Sequence, residues 1–243
     1  MNLVNIYGVL YECESRGMGT LSVVATPIGN LGDITFRALA TLKEADAIAC
    51  EDTRVSAKLL ARFEIQKPLL IFHAESGPQA AHRILALLGE GKHVALITDA
   101  GTPAISDPGS QLVKMVRERM GNEVRIQAIP GPSAITAALS IAGVSGNDFV
   151  FLGFLPHKKG RLTTFKEIAE STRTVVFYES PHRIEKALAS LALHLTADRK
   201  VMVAREITKI HESFIDGTAQ EVATYFTEHP TEVRGEFVVI VTP

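Results

Sequence analysis

The sequence predicts an α/β protein made of two α/β domains, the first with a mostly parallel sheet and the second with a mixed one. Three observations predict it. Short β-rich apolar runs alternate with helical patterns through the first half, and strands separated by helices of that length run parallel under helices on both faces. A small-residue stretch, "PGPSAITAALSIAGVSGND" (130–148), reads as a helix and then a linker. Beyond it a second strand–helix set begins, and "HESFIDGT" followed by "EFVVIV" points to a mixed sheet. The expected division is a disordered N-terminal extension over 1–19, a first domain over 20–134, a helix and linker over 135–148, and a second domain over 149–243.

Each element has its own signal. "LSVVAT" (21–26) reads as the first strand. Asp33 offers an N-cap to a helix carrying Ile34, Ala38, Leu42 and Ala45 at helical spacing. "AIAC" (47–50) is the second strand, "TRVSAKLLARF" a helix, and "PLLIF" (68–72) the third strand. Pro78 suits the first turn of a helix with Ile84, Leu87 and Leu88 on one face, ended by Gly89 and Gly91. "HVALIT" (93–98) is the fourth strand; Leu112, Val113 and Val116 mark a helix that stops near Gly121; "VRIQAI" (124–129) is the fifth strand. In the second set the strands are "FVFLGF", "TVVFYE", "KVMVAR", "ESFIDG" and "EFVVIV", with helices near 163–169, 182–194 and 218–228.

The 243 residues are 46 % hydrophobic and 21 % charged with a net charge of −2, which is ordinary globular composition. A near-neutral chain meets nucleic acid only through a local patch. No apolar run reaches membrane-span length, and the first residues lack the basic region and cleavage site of a signal peptide. Cys13 and Cys50 are the only cysteines; they make neither a metal spacing nor a disulfide framework, so a reducing cytoplasmic setting and no membrane partner are expected.

Four punctuated turns carry the functional reading. "TPIGN" follows the first strand, "EDTR" the second, "DAGTPAISDPG" the fourth and "PGPSA" the fifth. In a parallel sheet such turns all emerge at the carboxyl edge, where open α/β sheets bind ligands. Gly29, Gly101 and Gly131 permit close approach of a ligand to the backbone. Pro27, Pro103 and Pro132 stiffen the turns, and Ser133 stands at a helix start whose amides lack partners. No phosphate-binding "GxxxxGK[ST]", no "GxGxxG", no "GxSxG" and no metal-ligand cluster is present. No basic run lies beside the turns. A neutral or cationic small molecule held by backbone groups is what they suit.

The segments "VVATPIGNLGDITFRALATLKEADAIACEDTR", "LITDAGTPAISDPG", "IPGPSAITAAL", "FLGFLP", "VVFYESPHR", "AREITKIHE" and "RGEFVVIV" occur in this order. Together they resemble the tetrapyrrole (corrin/porphyrin) methylase superfamily, and more closely its ribosomal RNA branch, the small-subunit rRNA cytidine 2′-O-methyltransferases. The resemblance spans about residues 20–242. It implies S-adenosylmethionine (SAM) in a cleft between the two domains, a homodimer, and small-subunit ribosomal RNA or its particle as partner. By that likeness the cofactor site takes Thr26, Pro27, Gly101, Thr102, Ile105, Ser133 and Ala134 from the first part and Tyr178, Ala204 and Phe237 from the second. No metal is expected.

Methyl transfer from a sulfonium to a hydroxyl needs in-line alignment and help with a weakly acidic 2′-OH proton. The candidates are Glu51, Asp52 and Arg54 in "EDTR" and Arg205 and Lys209 in "AREITK". The arginines would clamp a phosphate, and the lysine would ease alkoxide formation. The densest basic stretch, "PHKKGR", supplies Lys158, Lys159 and Arg161, and "SPHR" adds Arg183, as candidate RNA contacts. Two other readings stay open: a corrinoid or porphyrinoid methylase of the same superfamily, and a catalytically silent RNA-binding protein.

Overall fold

The computed structural model describes residues 17–73 and 78–243. The extension expected over 1–19, and Cys13 with it, falls outside the described residues up to residue 16. The first sheet is built from β1 (Gly19–Val24), β2 (Ala47–Cys50), β3 (Leu69–Ile71), β4 (His93–Leu96) and β5 (Val124–Ile129). Their order is β3-β2-β4-β1-β5, and every pairing is parallel.

Alternation along each strand decides which helix lies on which face. Val24, Ile48, Ala95 and Ile129 pack with Ala38 and Leu42 of α1 (Phe36–Glu44) and Leu60 of α2 (Thr53–Arg62). Leu21, Ala49, Val94 and Leu96 face the other way. They pack with Ile84 and Leu88 of α3 (Pro78–Gly89) and Leu112 and Val116 of α4 (Gly109–Met120). At the amino edge α3 lies hard against β1, because a Cβ on Gly19 would sit 2.0 Å from the Leu88 carbonyl oxygen.

Two expectations are corrected. Asp33 does not cap α1: it belongs to a 3-10 turn, Leu31–Asp33, and the extended Thr35 caps the helix by accepting from the Ala38 N–H at 3.0 Å. The first strand ends at Val24 rather than 26, because Thr26 leaves the parallel ladder for an isolated antiparallel bridge to Gly101.

The small-residue helix α5 (Ala134–Ile141) then leads to β6 (Phe149–Phe154), α6 (Arg161–Glu170), β7 (Thr174–Glu179), α7 (Ile184–His194), β8 (Lys200–Arg205), β9 (Ser213–Thr218), α8 (Ala219–Glu228) and β10 (Phe237–Val241). The second sheet has the order β6-β7-β10-β8-β9. Its β6–β7 pair is parallel and the other three are antiparallel, so it is mixed. Helices α6, α7 and α8 cover one face through Phe165, Leu188, Leu191, Val222 and Phe226. The other face carries Val176, Met202, Ala204, Val238 and Ile240 and is covered by α5, through Ile135, Ala138 and Leu139. Ile28, from the turn after β1, enters the same cluster. The small side chains of α5 thus let it serve as a packed layer between the halves.

Candidate active site

The carboxyl-edge turns of the first sheet and the strand ends of the second enclose a cavity of about 370 Å³. Its first wall is the "DAGTPAISDPG" turn, with Glu51, Thr98, Ser133 and Ala134; its second is Phe154, Tyr178–Pro181, Ile207 and Gly235–Val238.

The turn is held open by its own residues. Ala104 and Ser106 adopt left-handed backbone conformations, φ 72° and 66°, which side-chain-bearing residues keep only where the surroundings impose them. Asp107 imposes them: its Oδ1 accepts from the Ala104 N–H at 2.8 Å and the Gly109 N–H at 2.7 Å. Its Oδ2 is buried without a hydrogen-bond partner among the described residues. Thr26, fully buried, ties the base of the turn by donating to the Thr98 carbonyl at 3.1 Å. Thr102 donates to the Pro132 carbonyl at 3.1 Å and joins the fourth-strand turn to the fifth.

The cavity is acidic. Glu51, Asp99, Asp107, Glu179 and Glu236 are on its wall, and no basic residue is. From behind it Arg161 and Arg183 pair Glu179, and Lys209 pairs Glu236, which leaves Glu51, Asp99 and Asp107 without an ion-pair partner among the described residues. Burial raises the Glu51 carboxyl above its ordinary range; the Thr98 hydroxyl, which donates to it, pulls back, and Asp107 and Asp99 push further up. Burial also raises Asp99; a hydrogen bond with the Asp52 backbone pulls back and the Asp52 charge pushes up. Such a wall suits a cation. Apolar surface is supplied by Ile28, Ile105, Phe154 and Phe237. Tyr178 packs at 5.0 Å and 5.4 Å from the Phe151 and Phe154 rings. Burial, with Glu236, pushes its hydroxyl up to about 12, so it remains a neutral donor.

Of the expected cofactor residues, Gly101, Thr102, Ile105, Ser133, Ala134, Tyr178 and Phe237 are on this wall. Thr26, Pro27 and Ala204 lie behind it, buried: Thr26 in the bridge to Gly101, Ala204 in the layer against α5. Of the expected catalytic residues, Glu51 faces the cavity. Asp52 turns away to cap α2 and pairs with Arg54 at 2.7 Å, which holds its carboxyl down at about 2. Arg205 is not free to clamp a phosphate: it is 8 % exposed and donates to the Arg234 and His211 carbonyls, each at 3.0 Å. Lys209 lies across Gly29, where a Cβ would meet its Cγ at 2.5 Å. Its ammonium is paired with Glu206 at 2.8 Å and Glu236 at 2.9 Å. Burial lowers its pKa, but the two carboxylates outweigh that and raise it.

The expected RNA contacts divide. Lys158 and Lys159 are exposed. Arg161 and Arg183 instead converge on the buried Glu179 carboxylate, at 3.1 Å and 2.7 Å. Their remaining donors hold the Pro156 and Leu155 carbonyls at 3.1 Å and 2.9 Å. They anchor the basic loop to the cavity wall and do not face solvent as a patch. Sequence reading missed Asp99, Asp107, Glu179 and Glu236 as wall residues; the first two were legible as the acids inside a turn already singled out.

Comparison with known proteins adds the following. The profile of the Tetrapyrrole (Corrin/Porphyrin) Methylases matches residues 20–223. The "Ribosomal RNA small subunit methyltransferase I" of Neisseria meningitidis serogroup B is 46 % identical over 226 residues, 93 % of this chain and 76 % of that protein. The protein of that name from Thermotoga maritima is 43 % identical over 225 residues, 93 % of this chain and 99 % of its own. Among solved structures, the methyltransferase CobJ aligns with a TM-score of 0.67 at 20 % identity, covering 93 % of this chain and 94 % of that one. The uroporphyrin-III C-methyltransferase of Thermus thermophilus, complexed with S-adenyl homocysteine, aligns at 0.62 and 18 %, covering 92 % and 97 %. At these identities the structural likeness establishes the fold.

Proposed function

The chain belongs to the tetrapyrrole (corrin/porphyrin) methylase family, and from that premise we propose that it methylates the ribose 2′-hydroxyl of a cytidine in small-subunit ribosomal RNA, with SAM as donor. The observation that carries the reading is the cavity shared by the two sheets, acidic and free of basic side chains. When bound there, SAM supplies a methyl group already activated by a positive sulfur.

The chain's own residues fit that donor. Asp99 and Asp107 place negative charge where a sulfonium and an ammonium are favoured. Ile105, Phe154, Tyr178 and Phe237 supply surfaces for an aromatic base, with main-chain groups of 101–102 and 133–134 beside them. Glu51 receives the ribose proton, its raised pKa making it a better base than a free carboxylate. The Lys158–Lys159 loop meets phosphate at the rim. The working form is a homodimer in the cytoplasm; no helix among the described residues is long and apolar enough to cross a membrane.

The substrate follows from the relatives. Those at 43 % and 46 % identity over 93 % of the chain are named for small-subunit ribosomal RNA, whereas the corrin and porphyrin methylases resemble it in fold at 15–20 % identity. The test is to incubate the protein with labelled SAM and small subunits lacking the modification, then digest the RNA with alkali. A 2′-O-methyl group removes the nucleophile that cleaves the next linkage, so label should appear in an alkali-resistant dinucleotide beginning with cytidine. Label on a base, or none in RNA, overturns the reading.

A further inference from the structure

With Arg161 and Arg183 turned inward onto Glu179, Lys158 and Lys159 are what the expected RNA footprint has left. Two exposed lysines neutralise at most a couple of phosphates, a weak hold on a polyanion. The cavity cannot add to it, because no basic residue lines it and its unpaired carboxylates, Glu51, Asp99 and Asp107, repel phosphate. The RNA backbone therefore needs a second basic surface, outside the cavity yet continuous with its mouth.

Helix α2 has those properties. Its sequence "TRVSAKLLAR" contains Arg54, Lys58 and Arg62 and no acidic residue. The three are four residues apart, which stacks them on one helix face at intervals of about 6 Å. All three are exposed, Arg54 with 86 % of its side chain accessible. Arg54 pairs with Asp52, but no described carboxylate pairs with Lys58 or Arg62. The helix starts directly after Glu51 and Asp52 at the carboxyl edge, so the row leads away from the cavity mouth. Helix α1 covers the same sheet face and adds exposed Arg37 and Lys43 against Glu44. At its first residue Phe36 is 76 % exposed, and an aromatic ring beside basic side chains suits an unstacked base.

We propose that the Arg54–Lys58–Arg62 face of α2 is the track on which the phosphodiester backbone of the RNA substrate lies as its target ribose enters the cavity. Opposite charges are thereby segregated: the cation goes inside the acidic wall, the polyanion along the outer helix. The inference rests on the reading of the chain as a small-subunit rRNA methyltransferase.

The test compares the wild type with Lys58→Ala/Arg62→Ala. Both positions are exposed on a helix, where alanine is well tolerated. Affinity for small subunits lacking the modification is measured across a salt series, together with SAM affinity, methyl transfer and sedimentation. The double variant should bind particles more weakly, with a log–log salt slope shallower by about 1.4, two phosphate contacts at about 0.7 each. SAM affinity should not change. Unaltered particle affinity and slope, with the wild type methylating the particles, overturn the track alone. A variant that falls to monomer while the wild type sediments as a dimer overturns it too, and gives the face to a second copy of the chain. A wild type that leaves the particles unmethylated overturns the functional reading beneath it.

Discussion

Thr102 marks how little room the first wall leaves for change. Its hydroxyl is engaged with the Pro132 carbonyl and its side chain borders the cavity. Thr102→Arg projects a long cation into the volume proposed for a cationic donor, while the surrounding layers keep their contacts. SAM affinity should fall at least about a hundredfold, ~2.8 kcal/mol, with the thermal midpoint nearly unmoved; calorimetric titration checks the first and a melting curve the second. Glu51 makes a prediction in pH. Burial, with Asp107 and Asp99, places its carboxyl above the ordinary value, which is about 4.3 for glutamate. As a base it must be ionised, so methyl transfer at saturating substrates should rise as pH climbs through that raised pKa. Glu51→Gln should remove this limb and cost roughly a hundredfold or more in rate. The sign for stability is opposite. A carboxyl whose pKa is raised on folding is destabilising when ionised, so the glutamine variant should melt no lower than the wild type at neutral pH.

Elements meet in this molecule through backbone as much as through side chains. Where β1 begins, Gly19 lets the last turn of α3 approach until a Cβ would overlap the Leu88 carbonyl oxygen. Gly19→Ala must push α3 off the sheet, at a cost of about 1–3 kcal/mol. Denaturant titration should show the lower midpoint. SAM affinity should hold, since the contact lies at the amino edge, opposite the cavity. The same distinction explains what could be read in advance. Apolar runs such as "AIAC" and "TVVFYE" carry their strands whole, because burial of a continuous run is a local property. Thr26 was legible as part of a special turn, but that it pairs with Gly101 and stands behind the wall depends on a residue in another turn. Arg161 and Arg183 looked like surface charge because Glu179, which draws them inward, belongs to a different strand. Cap choice at Thr35 over Asp33 depended on one extra 3-10 turn, which no periodicity records.

At the scale of the whole molecule the proposed dimer is open to direct measurement. Sedimentation equilibrium at micromolar concentration should give twice the chain mass, and monomer alone would remove symmetric pairing from the scheme. The strand order of the second sheet carries one more consequence, for synthesis. β10 lies in the middle of that sheet, between β7 and β8, although it comes after both of them in the chain. Domains generally fold as they emerge from the translating ribosome. The first sheet can close once β5 is out, before any strand of the second sheet has been made. The second stays split into two parts until Val241 has cleared the exit tunnel, and Phe237 and Val238, which complete the cavity, arrive with it. A chain whose last described strand has yet to emerge therefore presents half a binding site, and the cavity is complete only once β10 has entered the sheet.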